Sequence, residues 1–347
     1  MDNIEYDDSQ KVINSLTAER TAVVKGVAGS GKSCILLYKA KQVSTYSNDY
    51  AIIVYTNTLK QFFIHELDEI DPSGKHVYSF HEWCKTKPKY KYLFIDECQD
   101  FSAEEIDDFK SHGTYCWFFG DSEQSIMEYR FKGEAKPQPV EKTASQLGTT
   151  PKDLCLNHRL TIENAKIGEH IKPQTHLSFA CIKHGSKPML IQSENQLDTI
   201  IDLIQINQLS NVGILVYYND SVGILKDYFL KKGIPVEYKI HDNMQMDFKS
   251  TNPKIISWHC AKGLQFDDVF IPACGCSEHA QYQKSAHPID PIVADEKKSA
   301  LYVAATRPIS NLYLLYTSNL TSNLPPASSE IYWSDKKEAD SDVYPTF

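Results

Sequence analysis

Residues 26–33 read GVAGSGKS and fit the pattern G-x-x-x-x-G-K-[S/T]. The alternating segment TAVVKGV leads into this stretch and the amphipathic segment SCILLYKAKQV continues from it, so it is predicted to join a β-strand to an α-helix. In such a loop the glycines let backbone N–H groups turn toward phosphate oxygens, while the N-terminus of the following helix adds positive potential. Lys32 would reach the β- and γ-phosphates of ATP, and the Ser33 hydroxyl would bind Mg²⁺. The residues predicted to bind phosphate and magnesium are Gly26, Gly29, Ser30, Gly31, Lys32 and Ser33.

A pair of acids lies where another apolar run ends, in Phe94-Ile95-Asp96-Glu97. The carboxyl ends of parallel strands form the edge at which α/β sheets bind ligands. Asp96 is predicted to hold Mg²⁺, directly or through water, and Glu97 to orient and deprotonate the attacking water. Together with the glycine-rich loop, these acids indicate a nucleoside triphosphatase. They leave open whether its energy drives a motor, a transporter, a kinase or a switch.

Short β-branched or aromatic runs alternate with helical patterns along most of the chain. This alternation predicts an α/β fold in which mainly parallel sheets are flanked by helices. The pattern pauses over residues 131–153, where prolines, glycines and polar residues predominate. We therefore expect an N-terminal domain over residues 1–153, a second α/β domain over residues 154–330, and a polar tail over residues 331–347.

The composition is that of an ordinary globular protein. The chain has 347 residues, of which 41% are hydrophobic and 23% charged, and its net charge is −9. That charge argues against binding nucleic acid through bulk charge alone, although a local basic groove is compatible with it. No stretch approaches the roughly 18 apolar residues of a membrane span, so we expect a cytoplasmic protein that does not use a membrane. The nine cysteines are predicted to be reduced thiols.

The nearest approach to a metal-binding motif is Cys274, Cys276 and His279, with His287 further on. This spacing lacks the paired Cys-x-x-Cys of structural zinc sites, and it follows an apolar strand that would bury cysteines in any case. The pattern therefore favours buried thiols over a zinc site.

Further polar stretches follow apolar runs in a fixed order along the chain. They read GDSEQ (120–124), LNHR (156–159), HCAKGLQFD (259–267) and YVAATR (302–307). Together with the glycine-rich loop and DECQD (96–100), this series resembles the ordered motifs of superfamily 1 helicases of the UvrD/Rep type, from about Gln10 to Leu315. The resemblance implies two RecA-like P-loop NTPase domains with ATP in the cleft between them.

The resemblance also implies roles for residues around the nucleotide. Gln10 matches the glutamine that reads adenine, and Gln124 matches the glutamine that senses the γ-phosphate. Arg159 and Arg307 match the two arginines of the second domain that close onto the γ-phosphate, where a guanidinium stabilises the charge that develops in phosphoryl transfer. The other residues expected near the nucleotide are His158, Gly263 and Gln265.

On the nucleic-acid side, the resemblance implies a contact surface of aromatic, basic and polar residues. Aromatic faces stack on bases and basic groups follow phosphates, so a single strand can be held without sequence preference. The residues are Tyr55, Thr56, Asn57, Phe80, His81, Tyr129, Arg130 and His259. Aromatic residues close to strand ends, such as Tyr55 and Phe80, are also compatible with a place in the core.

The sequence departs from the family in its side chains and in its length. His158 replaces an aromatic residue, often tyrosine, that can cover adenine, and Gln265 replaces a glutamate near the nucleotide sugar. The accessory domains of UvrD/Rep helicases also do not fit, because residues 85–93, KTKPKYKYL, fill the first insertion point. This segment is either a solvated lead-in to the acidic strand or a small contact for nucleic acid.

The first functional hypothesis is an ATP-dependent DNA helicase or translocase of the UvrD type. It would hydrolyse ATP with Mg²⁺, move 3′ to 5′ on single-stranded DNA and unwind duplex with the help of a partner, with RNA as an open alternative. The second hypothesis is an ATPase switch that responds to nucleic acid and regulates a partner nuclease, in a genome-defence setting. A P-loop kinase or metabolic enzyme is a third alternative, although such enzymes have no use for two arginines from a second domain.

Overall fold

The computed structural model describes residues 5–126, 136–241, 244–275 and 291–333, with the backbone alone over residues 291–296. The chain divides into two compact units, Met1–His158 and Arg159–Phe347. Within the described ranges, no helix is long and apolar enough to cross a membrane.

The first unit is a parallel sheet flanked by helices. Its strands are β1 (Ala22–Gly26), β2 (Tyr50–Val54), β3 (Val77–Ser79), β4 (Tyr90–Ile95), β5 (Gly113–Gly120) and β6 (Lys152–Leu154). Its helices are α1 (Asp8–Ser15), α2 (Lys32–Ser44), α3 (Asn57–Glu66), α4 (Phe80–Thr86), α5 (Ala103–His112) and α6 (Val140–Gln146). The strand order is β3-β2-β4-β5-β1-β6, and every pairing in it is parallel.

Both faces of this sheet are buried. Because successive side chains of a strand point to opposite faces, Val24 and Phe94 pack on one side and Val23 and Leu93 on the other. Apolar residues therefore follow one another without alternation in the central strands, as expected for a parallel sheet covered by helices on both sides.

The strand order brings three polar loops to one edge of the first sheet. β5 lies between β1 and β4, so the carboxyl ends of all three strands are neighbours. The glycine-rich loop follows β1, Asp96 follows β4 and Asp121 follows β5. The fold thus collects residues that are far apart in sequence at the edge where parallel sheets bind ligands.

The lysine-rich segment over residues 85–93 is short, and two of its lysines form ion pairs with carboxylates of the first unit. Only residues 87–89 separate α4 from β4. Lys87 Nζ lies 2.5 Å from an Asp108 carboxylate oxygen, and Lys91 Nζ lies 3.1 Å from Glu19 Oε1. Two of its lysines therefore meet carboxylates of their own unit, which agrees better with a lead-in to the strand than with a contact for nucleic acid.

The second unit is also built on a parallel sheet. β7 (Asn157–Thr161) begins in the last two residues of the first unit and continues into the second. The other strands of the second unit are β8 (Cys181–Lys183), β9 (Met189–Gln192), β10 (Val212–Val216), β11 (Glu237–Tyr238), β12 (Lys254–Ser257), β13 (Phe266–Ile271) and β14 (Pro308–Tyr316). Its helices are α7 (Ile162–Ile171), α8 (Leu177–Ala180), α9 (Gln196–Ile206), α10 (Asn219–Lys231) and α11 (Pro291–Ala305). The main sheet has the order β11-β12-β10-β13-β14-β9 with parallel pairings, and β7 and β8 form a separate pair.

The core of the second unit lies between this sheet and its helices. Ile214 and Phe270 of the central strands pack with Leu225 of α10 and Ile200 of α9, and all four are fully buried. The two parallel sheets with flanking helices confirm the predicted α/β class.

We expect Leu93→Ala to lower the free energy of unfolding by about 3 kcal/mol, because it leaves a cavity beside a central strand. Val12→Ala, at a position that is 59% exposed on α1, is the matched control and should change this free energy little. Urea denaturation of both variants measures the difference. Equal effects would contradict the described core.

Candidate functional site

The glycine-rich loop closes around the side chain of Lys32. Lys32 Nζ donates hydrogen bonds to the carbonyl oxygens of Gly26 and Val27, at 2.8 and 3.0 Å. Gly29 and Gly31 have φ angles of 73° and 86°, in the left-handed region that favours glycine. A Cβ at position 31 would also lie 2.5 Å from Gln10 Nε2, so a side chain there would displace the Gln10 amide.

A hydroxyl and a buried carboxylate lie beside the loop. Ser33 Oγ donates to Asp96 Oδ2 at 3.3 Å, and Asp96 Oδ1 accepts from the backbone N–H of Glu97 at 2.9 Å. Burial, and then the charge of Glu97, raise the pKa of Asp96 to about 7, although Lys32 acts in the opposite direction. A divalent cation would relieve this unfavourable burial of charge, and hydroxyl and carboxylate oxygens are the ligands that Mg²⁺ prefers.

Ser30 supplies a further sign that the loop is built for a ligand. Its side chain is buried, and among the described residues its Oγ has no hydrogen-bond partner. Buried hydroxyls are normally paired, so an unpaired one inside a glycine-rich loop suits the binding of a phosphate oxygen. The residues present therefore fit a nucleotide with its magnesium ion.

Glu97 is held in place by Gln99, which is itself held by Asp121, and neither residue was among those predicted from the sequence. The Glu97 carboxylate accepts from Gln99 Nε2 at 2.6 Å, and Gln99 Oε1 accepts from the backbone N–H of Asp121 at 2.9 Å. Asp121 Oδ2 in turn accepts from Gln124 Nε2 at 2.7 Å. A continuous chain of hydrogen bonds therefore joins Glu97 to Gln124. Both residues lie in the quoted stretches DECQD and GDSEQ, but only Asp121 directly follows a strand, and no local pattern distinguishes either one from its neighbours.

The backbone around this chain is unusual in two places. Glu97 has a φ of 55°, a left-handed conformation that side chains other than glycine rarely adopt and that often marks functional sites. At Gly120, a Cβ would lie 2.6 Å from Gln99 Oε1 and 2.7 Å from Cys98 Sγ. Glycine at this position therefore makes room for the Gln99 side chain.

The two residues predicted to lie near the adenine base, Gln10 and His158, make hydrogen bonds within the first unit. Gln10 is buried, its Oε1 accepts from the Asp7 N–H at 3.1 Å, and its Nε2 donates to the Ser30 carbonyl at 3.1 Å. His158 Nε2 lies 2.6 Å from Asp7 Oδ2. Both side chains thus lie beside the phosphate loop, and both contact Asp7, another residue that the sequence analysis did not select.

The other residues predicted to act on the nucleotide lie in the second unit. Arg307 is buried and donates to the carbonyl oxygens of Val303 and Leu264, at 2.8 and 3.3 Å, and to Thr306 Oγ1 at 3.0 Å. Arg159 begins this unit in β7 and is partly buried. The turn before β13 contains the other two residues, Gly263 with a φ of 78° and the exposed Gln265.

On the predicted nucleic-acid side, the structure brings together two of the aromatic residues. The Tyr55 and Phe80 rings are stacked with centroids 6.2 Å apart, and both pack against Phe101, at 5.4 and 4.8 Å. Both residues are partly exposed and directly follow β2 and β3. These contacts agree with a core role for both residues, although neither residue is fully buried.

The remaining residues of that set are dispersed. Thr56 Oγ1 accepts from Leu59 N at 3.1 Å and so caps α3, which begins at Asn57. His81 is exposed on the first turn of α4. His259 lies in the second unit, 5.7 Å from the Tyr217 ring. Tyr129 and Arg130 lie outside the described residues.

The structure describes the cysteine-rich stretch only in part. Cys274 is a buried free thiol, and Cys276, His279 and His287 lie outside the described residues. In the part of the chain that the structure describes, no group of three or more His, Cys, Asp and Glu side chains could hold a metal ion, and the cysteines are free thiols.

A glycine-rich loop closed around a lysine, with a hydroxyl and a buried carboxylate beside it, defines a P-loop nucleotide-binding domain. Two family profiles match the chain: "Viral superfamily 1 RNA helicase core domain" over residues 22–205, which is more than half of the chain, and "UvrD-like helicase C-terminal domain" over residues 239–319. The chain belongs to the superfamily 1 helicases, in the viral helicase core family, and its C-terminal part is UvrD-like. Membership of this family implies the use of a nucleotide.

A curated protein matches the chain at low sequence identity. A protein of Acanthamoeba polyphaga mimivirus, provisionally named an ATP-dependent DNA helicase, is 26% identical over 251 residues, or 65% of this chain and 34% of that protein. The chain thus spans about a third of the length of this curated relative.

The solved structures that match the chain include one viral protein and one bacterial domain. An Arterivirus nonstructural protein 10 helicase in complex with DNA is 15% identical, with a TM-score of 0.45, and the match covers 89% of this chain and 63% of that one. The C-terminal domain of a possible DNA helicase from Lactobacillus plantarum is 16% identical, with a TM-score of 0.37, and the match covers 50% of this chain and 96% of that one.

We expect Gln99→Ala to lower the ATPase turnover number about tenfold with little change in the KM for ATP, because Glu97 would lose the partner that orients it. Gln146→Ala, which removes an exposed glutamine of α6, is the matched control and should leave turnover unchanged. Steady-state ATPase assays measure both variants. Full turnover in the Gln99 variant would contradict the orienting role.

In the nucleotide-free and magnesium-free protein, we expect Asp96→Asn to raise the free energy of unfolding at pH 8 by on the order of 2 kcal/mol. The folded-state pKa of Asp96, about 7, lies above that of the unfolded chain, so the folded protein binds more protons between these two values. Wild-type stability therefore falls as the pH rises through this window, and the gain from asparagine should shrink at pH 5. Urea denaturation at both pH values tests this, and an equal gain at both would contradict it.

Proposed function

We propose that the chain is an ATP-driven motor that hydrolyses ATP with Mg²⁺ and moves on single-stranded DNA, 3′ to 5′ by analogy with UvrD/Rep helicases. The observation that carries this proposal is the continuous set of hydrogen bonds from Ser33 through Asp96 and Glu97 to Gln124. This set connects the proposed magnesium ligands to the proposed base and to the proposed γ-phosphate sensor. Loss of the γ-phosphate on hydrolysis can therefore alter the hydrogen bonds of the magnesium ligands, the base and the sensor together.

In the first unit, each residue has a separate task in hydrolysis. The Lys32 ammonium group and the loop N–H groups compensate the negative charge of the phosphates. Ser33 and Asp96 would hold Mg²⁺, which when bound neutralises charge on the β- and γ-phosphates. Glu97 orients the attacking water and accepts its proton. Gln124 contacts the γ-phosphate, and its hydrogen bond to Asp121 links that contact through Gln99 to Glu97.

Two residues of the second unit are proposed to complete the reaction. Arg159 and Arg307 carry permanently charged guanidinium groups, which stabilise the charge that develops on the transferred phosphoryl group. Because these arginines belong to a different unit from Lys32, hydrolysis would be linked to closure of one unit on the other. Cycles of closure and opening would then drive movement along the strand.

The proposed strand-binding residues are those named from the sequence, with the exposed parts of Tyr55 and Phe80 as stacking surfaces. DNA is proposed because the relative from the mimivirus bears the name of a DNA helicase, although one family profile is described as that of RNA helicases. A partner protein is proposed to assist unwinding, because the first insertion point of an accessory domain holds only a short connection between α4 and β4. The alternative of a switch that regulates a nuclease receives no support from the related proteins.

We expect saturating single-stranded DNA to raise the ATPase rate at least tenfold, with smaller effects of single-stranded RNA and blunt duplex. Steady-state ATPase assays with the three nucleic acids measure this. Stronger stimulation by RNA than by DNA would mean that the protein acts on single-stranded RNA and would replace DNA in the proposal. No stimulation by any of the three would remove the motor proposal.

We expect Lys32→Ala to abolish hydrolysis and to weaken nucleotide binding, because the phosphates lose a compensating charge. Glu97→Gln should retain ATP binding but hydrolyse at least a hundredfold more slowly, because an amide cannot accept the proton of the attacking water. Lys11→Ala, at an exposed lysine of α1, is the control for charge removal. Binding of a fluorescent ATP analogue together with single-turnover hydrolysis separates the two effects, and full turnover in Glu97→Gln would overturn the assigned base.

A further inference from the structure

Three successive carbonyl groups of the phosphate loop are held by residues from outside the loop. Asn157 Nδ2 donates to the Ala28 carbonyl at 2.6 Å, and the backbone N–H of His158 donates to the Gly29 carbonyl at 3.0 Å. Gln10 Nε2 donates to the Ser30 carbonyl at 3.1 Å. Carbonyls that are paired in this way with donors from outside the loop point away from its interior. Among the loop N–H groups, that of Ser30 donates to the Val27 carbonyl at 3.2 Å.

The sheet brings the Asn157–His158 segment to the loop. β6 pairs with β1 in parallel, with Leu154 opposite Gly26 at the point where the loop begins. A Cβ at position 26 would lie 2.9 Å from the Leu154 Cβ, so the two strands approach closely there. The chain that leaves β6 therefore passes directly beside the loop before it enters the second unit at Arg159.

Asp7 connects both sides of this arrangement. Its Oδ1 accepts from the backbone N–H of Gln10 at 2.9 Å and so caps α1. Its Oδ2 lies 2.6 Å from His158 Nε2, in a pair whose side chains are 12% and 29% exposed. The two carboxylate oxygens thus have separable tasks, since one fixes the start of the helix that carries Gln10 and the other fixes His158.

We infer that the Asp7–His158 pair is a positioning contact that holds the Asn157–His158 segment against the phosphate loop and thereby sets the backbone from which Arg159 acts. The inference rests on the proposed role of Arg159 in hydrolysis. His158 is the residue that precedes Arg159, so a shift of its backbone displaces the guanidinium as well. Asp7 is therefore a positioning residue, because its contact acts through the placement of another side chain.

One substitution separates the two roles of Asp7, which caps α1 and pairs with His158. Serine is as good a helix N-cap as aspartate, so Asp7→Ser keeps an oxygen for the Gln10 N–H, but it has no second oxygen that can reach His158. Asp8→Ser, at the next position and fully exposed, removes the same charge without touching His158 and is the matched control. His158→Phe removes the pair from its other side and keeps a ring of similar size.

Asp7→Ser should lower the ATPase turnover number about fivefold, as expected for loss of one partly buried charge-assisted hydrogen bond, and should change the KM for ATP less than twofold. His158→Phe should reproduce this loss, and the double variant Asp7→Ser/His158→Phe should be no worse than either single variant. Asp8→Ser should retain full turnover.

The decisive measurement repeats Asp7→Ser in an Arg159→Ala background, with single-turnover hydrolysis at high enzyme concentration. Because the pair acts through Arg159, Asp7→Ser should cause no further loss there. An equal loss in both backgrounds would overturn the inference, since the pair would then only support the fold. Full turnover in Asp7→Ser, or in His158→Phe should the first variant not fold, would overturn it as well. Full turnover in Arg159→Ala would instead remove the proposed role of Arg159, so the two failures are distinguishable.

Discussion

A phosphate loop can bind an anion only if its backbone N–H groups face inward, and this depends on what its carbonyl groups bind. Here each carbonyl from Gly26 to Ser30 accepts a hydrogen bond, the first two from Lys32 and the next three from Asn157, His158 and Gln10. The fold supplies the last three donors because α1 packs beside α2 and because β6 runs beside β1. The phosphate site is thus a product of the whole first unit.

The acidic side of the site is held under electrostatic and conformational strain. Asp96 and Glu97 are adjacent and buried, which raises the pKa of Asp96, and Glu97 has a left-handed backbone conformation. Such features lower stability in the absence of a ligand and are common where a site is prepared for a cation. The hydrogen bond from Gln99 to Glu97 opposes this strain by fixing one carboxylate, and the absent side chain at Gly120 gives Gln99 the space to do so.

On the side of the first unit that is proposed to bind nucleic acid, some residues belong both to the core and to the proposed contact surface. Tyr55 and Phe80 lie at strand ends, pack on Phe101 and are only partly buried, so two residues proposed as stacking surfaces also stabilise the unit. The short lysine-rich connection between α4 and β4 is tied to Asp108 and Glu19. These ion pairs are exposed and individually weak, but they give two lysines a local partner.

The sequence alone determined the α/β class, the phosphate loop and the acidic strand end, because each follows from a local pattern: a period of two or 3.6 residues, glycines at fixed spacing, and polar residues where an apolar run stops. It could not select Gln99 or Asp121, since their importance lies in hydrogen bonds between loops that follow two different strands. Nor could it select Asp7, whose partner His158 is adjacent only because β6 returns beside β1. Residues that are close in sequence form the motifs that bind phosphate and metal. The hydrogen bonds that orient these residues depend on the order of the strands, which only the tertiary structure decided.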